Sequence, residues 1–215
     1  MLHGNITVTA EGKSYIRTGA IAGTNHGQIL NCYANTNVSA DGENYVILGG
    51  LVASANGTVE NSYYYGSLKS AKSAGISCAG IFAGAGNRAI SNCYNFANIE
   101  LTGEHSSFVN IGGIVGENSA EVTNSYSCGK INYNKDNGNI GYLIGAIKTN
   151  VTITGGYLKN GKYAGIGDLN QGIDQTVEYN SIDQMPTILS VINTENRFKE
   201  DTNNINNGYP ILNWQ

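Results

Sequence analysis

The sequence predicts an all-β chain wound as a parallel β-helix, or solenoid, of about five three-stranded coils, ending in a C-terminal cap that contains one short helix. Three observations carry this. Tyr33, Tyr63, Tyr94, Tyr126 and Tyr157 recur at intervals of 30, 31, 32 and 31 residues, and self-similarity at such a period marks stacked repeats. Each repeat holds three short apolar segments rich in Ile, Val and Tyr, which suit strands better than helices. Charged residues make up 13% of the chain, against ~25% in ordinary domains. Polarity without charge suits stacking, because like charges would repel at every coil.

Within a repeat, the first segment is an apolar run (Tyr15-Ile16, Val46-Ile47-Leu48, Ile76, Phe108-Val109) that leads into a Gly-flanked pair such as Gly49-Gly50-Leu51-Val52. The second segment opens four residues before the tyrosine, with Ile29, Val59, Ile90, Val122 and Ile153. Asn31, Asn61, Asn92 and Asn124 lie two before it, and Gly155 replaces them in the fifth copy. The third segment is marked five residues after the tyrosine by Val38, Leu68, Ile99 and Ile131; Lys162 breaks the series. Gly and Asn supply the positive φ that corners need, as in Asn56-Gly57 and Asp136-Asn137-Gly138. Coils spaced ~4.8 Å apart would set equivalent residues in columns. An interior apolar file, a corner Asn file with amides bonded above and below, and a tyrosine file are the expected three.

The ends differ from the middle. Gly4-Asn5-Ile6 resembles Gly66-Ser67-Leu68, so the first repeat reads as truncated and the chain as a piece of a longer protein, with Met1 added. Its open edge invites association, although a monomer is expected. The solenoid is placed at 1–164 and a capping segment at 165–215. Ile182, Met185, Ile188, Leu189 and Ile192 fall at helical spacing, which predicts a helix over 185–193. Asn206–Trp214 reads as a turn and an extended strand, and the whole segment as a lid over the last coil.

The strings Gly49-Gly50-Leu51-Val52, Asn56-Gly57-Thr58-Val59 and Asn61-Ser62-Tyr63 resemble the GLUG repeat of bacterial surface proteins, as do Gly113-Ile114-Val115-Gly116-Glu117-Asn118 and Val122-Thr123-Asn124-Ser125-Tyr126. The resemblance covers residues 15–160. It implies a non-catalytic module of an extracellular, surface or secreted protein of gut-type bacteria, used in adhesion or as a stalk. Its partners would be host or microbial glycans or surface proteins. The alternatives are a polysaccharide-active β-helix enzyme, a lyase or glycoside hydrolase, and a passive spacer.

No cofactor is expected. The net charge of −4 with no basic patch speaks against nucleic acid, and no run approaches the ~18 apolar residues of a membrane span. The four cysteines read as small buried thiols; Cys32 and Cys93 sit two coils apart, beyond disulfide reach. No paired Cys or His spacing suggests a metal site. His3, His26 and His105 read as exposed turn residues. Glu43, Glu104 and Asp136 fall at matching offsets and share an edge, where a calcium site is conceivable on ligand type alone. No catalytic residue is assigned. The candidate ligand-binding residues are Tyr63, Tyr64, Tyr65 and Phe96. The repeated tyrosine column is expected to pack, while Tyr64 or Tyr65 offers an exposed ring suited to sugar stacking.

Overall fold

The computed structural model describes residues 3–84, 86–170 and 172–215. It is a β-solenoid built from a 12-stranded and a 10-stranded sheet, in which strands of successive coils pair in parallel. Ile29, Val59, Ile90, Val122 and Ile153 pair in turn and form one buried interior file. Ile6, Val38 and Leu68 form another on the third segment, as do Ile99 and Ile131. The strand His3–Ala10 docks on Tyr33–Gly42, as the likeness of Gly4-Asn5-Ile6 to a third segment predicts.

Each predicted segment is bent further. In one coil the chain runs Tyr45–Gly49, Val52–Ala55, Thr58–Glu60 and Tyr63–Ser73. The first bend falls at Gly49-Gly50, where the chain must pass close to the interior. A Cβ on Gly50 would lie 2.0 Å from the Gly80 carbonyl oxygen and 2.3 Å from the Tyr64 ring. One on Gly80 would meet Asn95 at 2.2 Å, and one on Gly113 would meet Ser127 at 2.0 Å. The glycine therefore makes room for the inward residue that follows each tyrosine. The second bend is the Asn corner. Asn31, Asn61, Asn92 and Asn124 have φ of 53°, 48°, 53° and 48°, the left-handed region that Asn tolerates best after Gly.

The expected ladder of corner amides does not form. Asn92 Nδ2 donates to Glu195 and Asn124 Oδ1 accepts from Thr194, while Oδ1 of Asn61 and Asn92 has no partner among the described residues. The corner asparagines are there for backbone conformation. Asn61→Gly should therefore be close to neutral, whereas Asn61→Ala should cost ~1–2 kcal/mol in urea unfolding, from the left-handed penalty alone.

Pairing continues past residue 164, through Ala164–Leu169 and Ile173–Tyr179. The capping segment begins only after Tyr179. It comprises a 3-10 helix, Ile182–Ile188, a short α-helix, Leu189–Ile192, and an antiparallel ribbon of Phe198–Lys199 with Ile211–Leu212. Ile188 and Ile192 are buried as the helical spacing predicts; the side chains of Ile182 and Met185 lie outside the described residues. The segment is not a lid over the last coil. It doubles back along one flank of the solenoid, where Ile188, Ile192, Phe198, Tyr209 and Leu212 bury against Tyr63, Tyr94 and Tyr126.

Candidate functional site

The flank beneath this strap holds the predicted site residues. Tyr33, Tyr63, Tyr94 and Tyr126 point out of the solenoid and stack at centroid distances of 4.8, 4.6 and 5.1 Å, with interplanar angles of 9°, 2° and 14°. Tyr65 and Phe96 stack beside them at 5.2 Å and meet the first file edge-on. The strap covers both files. Trp214 stacks on Tyr63 at 5.6 Å and donates its Nε1–H to the Asn61 carbonyl at 3.0 Å. The Tyr94 hydroxyl donates to Gln215 at 2.9 Å, the Tyr126 hydroxyl to the Pro210 carbonyl, and the Tyr65 hydroxyl to Asn206 Oδ1. Removal from water pushes the Tyr63 hydroxyl up to about 12 and raises those of Tyr94 and Tyr126 as well. These are packing phenols, held neutral.

The expectation of an exposed ring at Tyr64 or Tyr65 is overturned. Tyr64 points into the solenoid core with its hydroxyl on the Thr36 carbonyl at 2.7 Å. Tyr65 is half-buried under the strap. The repeated column packs as expected, but against the strap rather than between coils. Tyr157 leaves the column altogether. It pairs with Ser127, while Gly156 pairs with Tyr126, so Tyr157 turns inward and stacks on Tyr142. Gly156 takes the vacated outward place. A Cβ there would lie 2.7 Å from Ile188, so the strap helix sits where a fifth ring would stand.

The edge that was expected to gather Glu43, Glu104 and Asp136 gathers lysines between them. Lys72 lies 3.4 Å from Glu43, Lys135 pairs with Glu104, and Lys162 lies 2.8 Å from Asp136. Alternating signs on successive coils neutralise the file, and no group of three or more His, Cys, Asp or Glu could hold a metal ion among the described residues. All four cysteines are free thiols; Cys78 and Cys93 are fully buried, whereas Cys32 and Cys128 are partly so. Cys93 and Ser125 form one column with Cys32 and Ser62: the Cys32 and Cys93 amides donate to the serine hydroxyls at 3.1 Å.

His105 is also corrected: it is a core residue, 1% exposed, with Nδ1 2.7 Å from the Ser73 hydroxyl. Its Nε2 has no partner among the described residues. Desolvation, with Lys135 nearby, holds its pKa below the ordinary 6.5. The unfolded chain then binds a proton at this residue more readily than the folded one as pH falls through ~6.5. Stability should fall below that pH and be level above it, as read by melting temperature from pH 8 to 5. His105→Gln should flatten that part of the profile.

The strap, the ladder and the charge-balanced edge define a parallel β-solenoid closed along its side by its own C-terminal segment. No family model, curated relative or solved structure matches the chain.

Proposed function

We propose that the chain is a non-catalytic repeat module of a bacterial cell-surface or secreted protein, working outside the cell in adhesion to a host or microbial glycan or surface protein. The observation that carries this reading is the recurrence of GLUG-like strings on coils that stack in parallel. The strap returns Gln215 to the cleft that holds His3 and Tyr33. The last coil is six strand steps away through His3–Ala10, Tyr33–Gly42, Tyr63–Ser73, Tyr94–Asn95, Val122–Ser127, Thr152–Leu158 and Ile173–Tyr179, or ~29 Å at the usual spacing. The GLUG-like strings supply the surface setting, and the edge acids Glu43, Glu104 and Asp136 are each paired with a lysine.

Beads coated with the purified chain should be retained on mucin-coated or epithelial surfaces above uncoated beads. No retention would overturn the adhesion reading. Release of reducing sugar from a polysaccharide panel would replace it with the enzymatic one.

A further inference from the structure

The last turn of the solenoid is short. Tyr126 pairs with Gly156, 30 residues on (156 − 126), but Gly156 pairs with Val177, 21 residues on (177 − 156). The missing length is the third side. After Leu158 the chain passes through residues 159–163 straight into the strand Ala164–Leu169. The strand Ile131–Asn132 in the coil above therefore pairs with Asn98–His105 on one edge and with no strand on the other, among the described residues. A notch of about 450 Å³ opens beneath it, within the ~300–1,000 Å³ of small-molecule sites.

The floor is apolar, because Ile131, Tyr133 and Tyr142 are interior residues that face this gap. Tyr163 forms a wall, edge-on to Tyr142 at 5.9 Å, with its hydroxyl donated to the Tyr133 carbonyl. Asn132, Asn134 and Asn160 stand exposed on the rim. The charged rim groups are already partnered: Glu100 with Lys69 at 2.7 Å, and Lys162 with Asp136 at 2.8 Å.

We propose that this notch binds a neutral saccharide of one or two rings. Each carboxamide both donates and accepts, as sugar hydroxyls do, and the half-buried Tyr163 ring adds apolar surface beside them. With its charges paired, the rim has no group that prefers an anionic or cationic ligand. An extended peptide would find only the two-residue strand Ile131–Asn132 to pair with, against the usual ~5–6 residues. The notch lies away from the cleft that holds His3 and Gln215. It names a site and a ligand class for the adhesion reading and rests on that reading for its biological use.

The test is to titrate the ¹⁵N-labelled full chain with glucose, galactose, N-acetylglucosamine, maltose, cellobiose and lactose, following the side-chain amide signals of Asn132, Asn134 and Asn160. Glucuronate and a Val/Thr-rich hexapeptide are the controls. At least one neutral sugar should move these signals with a Kd of ~1 mM or tighter. Asn134→Ala combined with Asn160→Ala, both exposed, should weaken it at least ~5-fold with no change in melting temperature. The proposal is overturned if no neutral sugar moves these amides, if the double variant binds like the parent, or if only glucuronate or the peptide binds. Bead adherence without any shift at these amides would sink the notch and leave the adhesion reading standing.

Discussion

Tyr94→Ala is expected to detach the C-terminal strap while leaving the coils wound. Tyr94 is sandwiched between Tyr63 and Tyr126, meets Tyr65 and Phe96 edge-on, and lies tilted to Phe198 of the strap with ring centroids 6.5 Å apart. Truncating a fully buried aromatic costs ~3–5 kcal/mol, and the hydrogen bond to Gln215 goes with it. The strap has little backbone pairing of its own beyond the ribbon of Phe198–Lys199 with Ile211–Leu212. Its hold on the solenoid is therefore mostly side-chain burial on this ladder. The single tryptophan reports the outcome directly, since Trp214 stacks on Tyr63. Its emission should shift to the red in the variant, and trypsin should cut after Arg197 or Lys199 far faster than in the parent. Tyr94→Phe, which loses only the Gln215 bond, should cost ~1 kcal/mol and keep the parent's emission. A parent-like spectrum and cleavage rate for Tyr94→Ala would mean that the ladder does not hold the strap.

That burial also shows what the sequence could and could not reveal. The interior file from Ile29 to Ile153 was legible because each coil restates it, and a stack requires matching residues to superpose. The corners were legible because Asn and Gly at fixed offsets have a backbone reason to be there. The facing of the tyrosine was harder, because two parities compete. Counting back from Leu68, an inward residue, places Tyr64 inward and Tyr63 outward. Counting forward from Val59, also inward, places Tyr63 inward. The left-handed corner at Asn61 resolves the conflict, because it interrupts the alternation between Glu60 and Tyr63. Where the corner Asn is lost, at Gly155, the strand Thr152–Leu158 runs on without that interruption, so a tyrosine at the regular interval lands on the wrong side.

The strap and the notch were less legible for a common reason: neither repeats. A segment that occurs once has no second copy against which to align it. The bonds Asn92–Glu195, Asn124–Thr194 and Trp214–Asn61 each join residues at least 70 positions apart. His105 was missed likewise. Its place in the core depends on Ser73 of the coil above, where the other copies carry different residues. A signal did exist for the strap: an outward aromatic file four coils long requires a cover, and Ile188, Ile192, Phe198 and Leu212 of the capping segment are apolar residues able to supply it.

Gly50→Ala should abolish folding outright. The added methyl carbon would lie 2.0 Å from the Gly80 carbonyl oxygen and 2.3 Å from the Tyr64 ring. The ring could in principle be trimmed away, but the carbonyl belongs to the next coil, and its position is set by stacking. Relief would require the two coils to part, breaking bonds such as Gly50 N–H to the Ala79 carbonyl at 2.9 Å and Leu51 N–H to the Gly80 carbonyl at 3.2 Å. Overpacking in a core ordinarily costs ~1–3 kcal/mol; a clash with rigid backbone in the middle of a stack exceeds that and approaches the ~5–15 kcal/mol total stability of a domain. Circular dichroism and size exclusion should show no native strand signal and an aggregated or expanded chain. Two companions make the cause identifiable. Gly50→Ala with Tyr64→Ala should fail as well, since the carbonyl contact persists. Gly27→Ala, whose nearest neighbour would be Asn25 Oδ1 at 3.9 Å, should stay within ~0.5 kcal/mol of the parent. A folded Gly50→Ala variant with a parent-like melting temperature would mean that the coils do not approach each other as closely as the stacked arrangement demands.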